Sequence, residues 1–192
     1  FAERGKAMAP RFAPDGKYVP APANLGQMII EEARRWPENA VNHDLVAAQI
    51  SHECAAWQSE YARHRNNPSG LGAVNDNPDQ AIHFPTPRDG IRATVAHLLT
   101  YTQGIGDWTA HDPRAAAVPE RNLGVAKTPR DLEQRWAWSP PEKYNATPRD
   151  QRYGSQIAKL ANALLAVEVT MPPSKRLIDM FDHPPEIDRS QI

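Results

Sequence analysis

Prolines partition this chain. Of its 192 residues 19 are Pro, and each one removes a backbone donor and fixes φ, so any continuous helix must fit between them. The stretch "APRFAPDGKYVPAPAN" (9–24) carries Pro every few residues and reads as an extended arm, 1–23. The closing segment 169–192 is again Pro-rich and reads as a tail or linker. Between them, 24–168 has the length of one packed domain.

Within that domain the apolar spacing is helical. Leu25, Met28, Ile29, Ala33 and Trp36 share a stripe that Asn24 opens and Pro37 closes. "NHDLVAAQISHECAAWQSEYA" (42–62) reads as one continuous helix. The segment Arg63–Phe84 is rich in Asn, Pro and Gly, which suits turns and a short hairpin. The tetrapeptide "TPRD" then occurs at 86–89, 128–131 and 147–150. In each copy Thr can cap a helix, Pro can take its first position and Asp its third, so each copy announces a helix. The three helices expected are "GIRATVAHLLTYT", a short "LEQRWAW" stopped by Pro140 and Pro141, and "QRYGSQIAKLANALLAV" with Tyr153, Ile157, Leu160 and Leu164 on its face. Residues 104–127 read as a long loop. The expected class is α+β but mostly α: a helical lobe with a small loop or hairpin lobe across a cleft.

Charge excludes some functions. Lys and Arg number 22 against 23 Asp and Glu, a formal net charge of -1, so there is no broad positive field for nucleic acid or anionic lipid. No apolar run reaches the ~18 residues of a membrane span. One cysteine excludes an intrachain disulfide framework. The chain opens on Phe1, and the lack of a signal-like segment there says nothing of its destination.

Glu53 is the anomaly. On a continuous helix it shares a face with Val46, Gln49, Ile50, Ala56 and Trp57, and no Lys or Arg stands three or four residues away. A carboxyl held against apolar groups has its pKa raised by desolvation, which suits it to donate a proton to a leaving oxygen. Most helical Glu are solvated or paired with a distant Arg, so the catalytic reading needs context. Competing chemistry fails: "HECAAW" lacks the second His of a zinc-binding helix. Cys54 lies about 100° around the helix from Glu53 and suits packing better than nucleophilic attack. His64, His83 and His97 have no metal-ligand spacing, so neither metal nor other cofactor is expected.

Context comes from motif order. "AAQISHECAAWQSEYA", then "NNPSGLGAV", then an aromatic before "PTPRDGIRATVAHLLTY", then "YNATPRDQRYGSQIAKL" resembles the peptidoglycan-cleaving glucosaminidases of glycoside hydrolase family 73, in the lysozyme-like superfamily. The resemblance spans about Leu25 to Val167 and rests on short motifs in order. It implies that Glu53 is the catalytic acid and that Asn66, Asn67 and Gly70 form the turn after it, with Tyr144 and Tyr153 as the two late tyrosines. Cys54 and Gln58 depart from the family's small residues, and the late motif has extra residues between its tyrosines.

A second carboxylate is needed at ~5–9.5 Å in most glycosidases. Asp76 is preferred over Asp79, and over Glu60, which a continuous helix would put ~10 Å along the axis. The N-acetyl oxygen of the sugar is the alternative nucleophile. Gln49, Trp57, Asn67, Gly70, Tyr144 and Tyr153 are the expected substrate-side residues, with Trp57 and Tyr144 stacking on sugar. Tyr153 also falls on the apolar stripe of the last helix, which places its ring in the core. The implied activity is hydrolysis of the β-1,4 glycan strand of peptidoglycan by a monomer acting at the cell wall, whether secreted, periplasmic or phage-delivered. A muramidase or lytic transglycosylase would use the same fold. A non-catalytic wall-binding or phage structural module is the alternative of another class.

Overall fold

The computed structural model describes residues 21–73 and 80–166. The Pro-rich ends and the 74–79 segment, with Asp76 and Asp79, lie outside the described residues. The chain is mostly helical: α1 (Leu25–Ala33), α2 (His43–Cys54), α3 (Glu60–Arg65), α4 (Pro87–Gln103), α5 (Pro141–Ala146) and α6 (Tyr153–Ala166), joined by short 3-10 turns. Among the described residues there is no strand, only an isolated bridge between Glu133 and Ala137. No described helix is long and apolar enough to cross a membrane.

α2 is the central helix. Asn42 caps it through Oδ1, which accepts from the amides of Asp44 and Leu45. Val46, Ala47, Ala48 and Ile50 are fully enclosed between α1 on one side and α6 on the other. α1 packs in turn on α4. That contact is fastened by Glu32, whose carboxylate is buried and accepts from Arg88 at 3.1 Å and Arg92 at 2.9 Å. Glycine is required at two crossings. A Cβ on Gly90 of α4 would lie 1.7 Å from the carbonyl oxygen of Asn66, and one on Gly154 of α6 would lie 2.2 Å from that of Pro129.

Several expectations are corrected. The helix expected over 42–62 is two helices: α2 ends at Cys54, and Ala55, Ala56 and Trp57 take left-handed φ of 49°, 54° and 72°. Each such non-Gly residue costs ~1 kcal/mol or more. The cysteine thiol spans this turn, donating to the Ile50 carbonyl and accepting from the Trp57 amide at 3.1 Å. Ser59 then caps α3. The first helix stops at Ala33, and the Asn24 side chain makes no cap bond to it.

The three "TPRD" copies diverge. Thr86 caps the 17-residue α4 as expected. Thr128 makes a full capping box with Asp131, but only a 3-10 turn (Pro129–Leu132) follows, because Gln134 at φ 62° breaks the path. Pro141 opens α5 rather than closing a helix. Thr147 caps the wrong end, since it follows α5 and donates back to the Lys143 carbonyl. The 104–127 loop is a chain of 3-10 turns pinned by buried Trp108, whose indole donates to the Gly104 carbonyl.

Candidate functional site

Glu53 sits on the last turn of α2, where the helix is about to break, and it is half-buried. The α2–α6 contact brings the Tyr153 hydroxyl to it. That hydroxyl donates to Glu53 Oε1 at 2.5 Å, and Gln49 Nε2, one helical turn back, donates to the same phenol oxygen at 3.0 Å. Trp136 makes a further side-chain hydrogen bond to the carboxyl. No cation is among the groups that act on Glu53.

Burial pushes the Glu53 carboxyl up to about 7, and the bonds from Tyr153 and Trp136 pull only partly the other way. The neighbouring groups hold to neutrality too. Burial lowers the pKa of His52, whose ring meets the edge of Tyr153 at 5.3 Å. Burial first, then the Glu53 charge, raises the Tyr153 phenol well above its usual range. Such a carboxyl keeps its proton in about half of the molecules at pH 7 without a counter-ion, and can give it to an oxygen that reaches it.

Trp136 is itself held from behind. Its ring packs at a tilt of 57° against His97, with centroids 4.7 Å apart, and His97 Nδ1 meets both oxygens of Asp112 at 3.0 and 3.1 Å. Thr100 Oγ1 and the Arg114 amide also donate to Asp112. Tyr101 donates to the Arg135 carbonyl and so ties the Trp136 segment to α4. A chain of contacts therefore runs from Asp112 through His97 and Trp136 to Glu53.

The other expected site residues are placed as follows. Asn67 is fully enclosed, and its amide is used on the Leu71 and Ile82 carbonyls and the Leu71 amide, so it holds the turn together rather than facing outward. Asn66 closes α3 at φ 51° and donates to the Phe84 carbonyl, and Gly70 supplies φ 63°. Trp57 is 3% exposed and belongs to the core, because the left-handed turn swings it off the face of Glu53.

Glu60 opens a separate helix, so its distance from Glu53 is not the two helical turns a continuous helix would give. Of the tyrosines, Tyr153 both packs on the core and reaches Glu53, whereas the Tyr144 hydroxyl is bound to Glu133 Oε2 at 2.9 Å and its ring lies under Arg152. The Tyr153 ring lies in the core as the apolar stripe predicts, and its hydroxyl in addition takes the place beside the carboxyl that was expected of Tyr144. Cys54 is 1% exposed, and burial raises its thiol pKa, which fits the turn-spanning role and not a nucleophile.

Three residues around Glu53 are not among those expected at the site from the sequence. Trp136 reaches Glu53 from a segment expected to be helical, and its aromatic ring amid polar residues was the available signal. Asp112 and His97 are brought together by the 3-10 chain, which left no periodic trace. Among the described residues no group of three or more His, Cys, Asp or Glu could hold a metal ion. No known family model matches the chain, and no solved structure matches it.

Proposed function

We propose that the protein is a peptidoglycan hydrolase that cleaves the β-1,4 glycan strand as an endo-β-N-acetylglucosaminidase, on a lysozyme-like helical lobe, with Glu53 as general acid. One observation carries the reading: a half-buried carboxyl with a pKa of about 7, fed by two neutral donors and no cation. The motif order of the sequence supplies the substrate class.

In this reading the Glu53 proton passes to the glycosidic oxygen as the bond to the anomeric carbon lengthens, and Tyr153 and Trp136 stabilise the carboxylate that remains. Gln49 orients the Tyr153 hydroxyl for that task. Attack on the anomeric carbon falls to Asp76 or to the substrate's own N-acetyl oxygen. Trp138, 69% exposed and two residues from Trp136, offers the sugar platform that the enclosed Trp57 does not.

Digestion of purified sacculi followed by mass analysis tests this. Hydrolysed fragments with N-acetylglucosamine at the new reducing end, lost in Glu53→Gln, are expected. Anhydro sugars would make the protein a lytic transglycosylase, reducing-end muramic acid a muramidase, and intact sacculi a wall-binding module.

A further inference from the structure

Tyr153 reaches Glu53 from a helix, whereas Trp136 does so from an irregular stretch after the Pro129–Leu132 turn, where Gln134 takes φ 62°. The Trp136 amide donates to the Leu132 carbonyl at 2.9 Å, and the set of its indole is left to the side chains around it. Two of these are rings from α4, one helical turn apart: His97 at 4.7 Å and a tilt of 57°, and Tyr101 at 6.0 Å and 50°. Those two rings also meet each other edge to face at 5.1 Å. Trp136 is half-buried and packs at once against the main core and against the smaller cluster of Leu71, Phe84 and Ala93.

An imidazole on a helix can turn about its side-chain bonds unless something fixes its plane. Here Asp112 does. Its side chain is wholly enclosed and meets His97 Nδ1 with both oxygens at 3.0 and 3.1 Å, while Thr100 Oγ1 at 2.6 Å and the Arg114 amide at 2.8 Å hold the carboxylate in turn. Fastening residues 107–112 to α4 needs only those bonds. It does not need the imidazole to be set against the indole that reaches Glu53. Neither His97 nor Asp112 is among the groups that act directly on Glu53, so their influence on it passes through Trp136. The charges on that side are Asp112, Arg114 and Arg135, which act on Tyr101, and the titrating groups nearer Glu53 are Tyr153 and the His52 ring against it.

We propose that His97 and Asp112 are positioning residues for the general acid: Asp112 fixes the plane of the His97 ring, His97 seats the Trp136 indole, and the indole keeps its N–H on the Glu53 carboxyl. The indole has only that one donor, so a small turn of the ring takes the bond away. Without it the carboxylate left by proton transfer is less well stabilised, and Glu53 becomes a weaker acid. The role rests on the reading of Glu53 as the acid, but the seating of Trp136 can be measured without any lysis.

The test follows the Glu53 carboxyl carbon by NMR across pH in the full chain, beside the pH profile of wall lysis. Trp136→Phe keeps the bulk and loses the N–H, and should raise the midpoint by up to about one pH unit. His97→Leu, which keeps apolar bulk, and the milder Asp112→Asn should move it the same way by less. Adding His97→Leu to Trp136→Phe should move it no further, since the two act in series. Ser69→Ala breaks a buried hydroxyl pair with Thr94 on the same α4 and should lower the melting temperature with the midpoint in place. The alkaline limb of lysis should follow the midpoint in every variant. The same midpoint shifts in a chain that lyses no wall would support the seating and overturn only the hydrolase reading. A midpoint left in place or lowered by both His97→Leu and Asp112→Asn, a further shift in the double variant, or an equal shift in Ser69→Ala overturns the proposal.

Discussion

Glu53 and Asp112 are both carboxyls set against the same aromatic cluster, and their protonation goes opposite ways. Burial raises both. For Asp112 the bonds from His97, Thr100 and the Arg114 amide outweigh it, so its pKa ends below the usual value. For Glu53 only a phenol and an indole answer, and its pKa ends at about 7. Burial pushes both up, and the number and charge of the donors that answer it decide which carboxyl keeps its proton. Asp112 is a fastening that works ionised; Glu53 is poised to lose a proton it still holds.

The largest effect expected from breaking this contrast is on catalysis. Glu53→Gln keeps the shape and removes the proton, so lysis of wall suspensions should fall by ~10²–10⁴-fold, measured as turbidity loss; a rate equal to the parent would end the assignment. Asp112→Ala should instead act on the fold, taking the carboxylate partner from His97 Nδ1 and from the Arg114 amide, while Thr100 keeps its bond to the Ala96 carbonyl. A cost of about 3 kcal/mol is expected in denaturant unfolding, together with a weakened seat for Trp136.

The stability of the two carboxyls should respond to pH with opposite sign. Glu53 has a folded pKa near 7 against 4.5 unfolded, so between those values the native state binds more protons and stability falls as pH rises. Above pH 7 the ionised, half-buried carboxylate costs of order 3 kcal/mol, and Glu53→Gln should recover most of it at pH 8 but little at pH 4.5. Asp112 is lowered, so its contribution is present above the ordinary 3.8 and lost as pH falls through its folded value. Melting curves of both variants across pH 3–8 would show the crossing; parallel curves would contradict it.

The smallest effect sharpens the Glu53 side alone. Tyr153→Phe removes a donor that lowers the Glu53 pKa, so the alkaline limb of the pH–rate profile should move upward while stability changes by ~1 kcal/mol. Tyr144→Phe, which loses a bond to Glu133, should leave that limb in place. Equal shifts in both would show that neither acts through Glu53.

How much of this was legible in the sequence follows the range of the interactions. Glu53 stood out because the absence of a local Lys or Arg is a property of adjacent residues. The stripes of α1, α4 and α6 were legible for the same reason, and so was the cap at Thr86. The same four letters at 128 and 147 misled because capping chemistry permits a helix without compelling one: after Thr128 the chain reaches left-handed Gln134, and Thr147 is already committed to α5.

The break after Cys54 left no Gly or Pro to announce it. It is held by a thiol bridging Ile50 and Trp57 and by burial of Trp57, which only the folded core provides. The partners of Glu53 were illegible as partners, since Tyr153 lies 100 residues away and arrives through helix packing. The helical stripe located the Tyr153 ring in the core and could not say where its hydroxyl ends. Glu32 falls on the same helical face as Leu25, Met28 and Ile29, and the Arg88 and Arg92 that pair with it there come from α4.

The contrast between the two carboxyls is tested most directly by following the Glu53 side-chain carboxyl carbon by NMR as pH is raised, assigned by its absence in Glu53→Gln. The carboxyl should titrate with a midpoint at about 7, well above the ordinary glutamate value of ~4.3. A midpoint at the ordinary value would mean that Glu53 is ionised at neutral pH, and that it cannot be the acid proposed here.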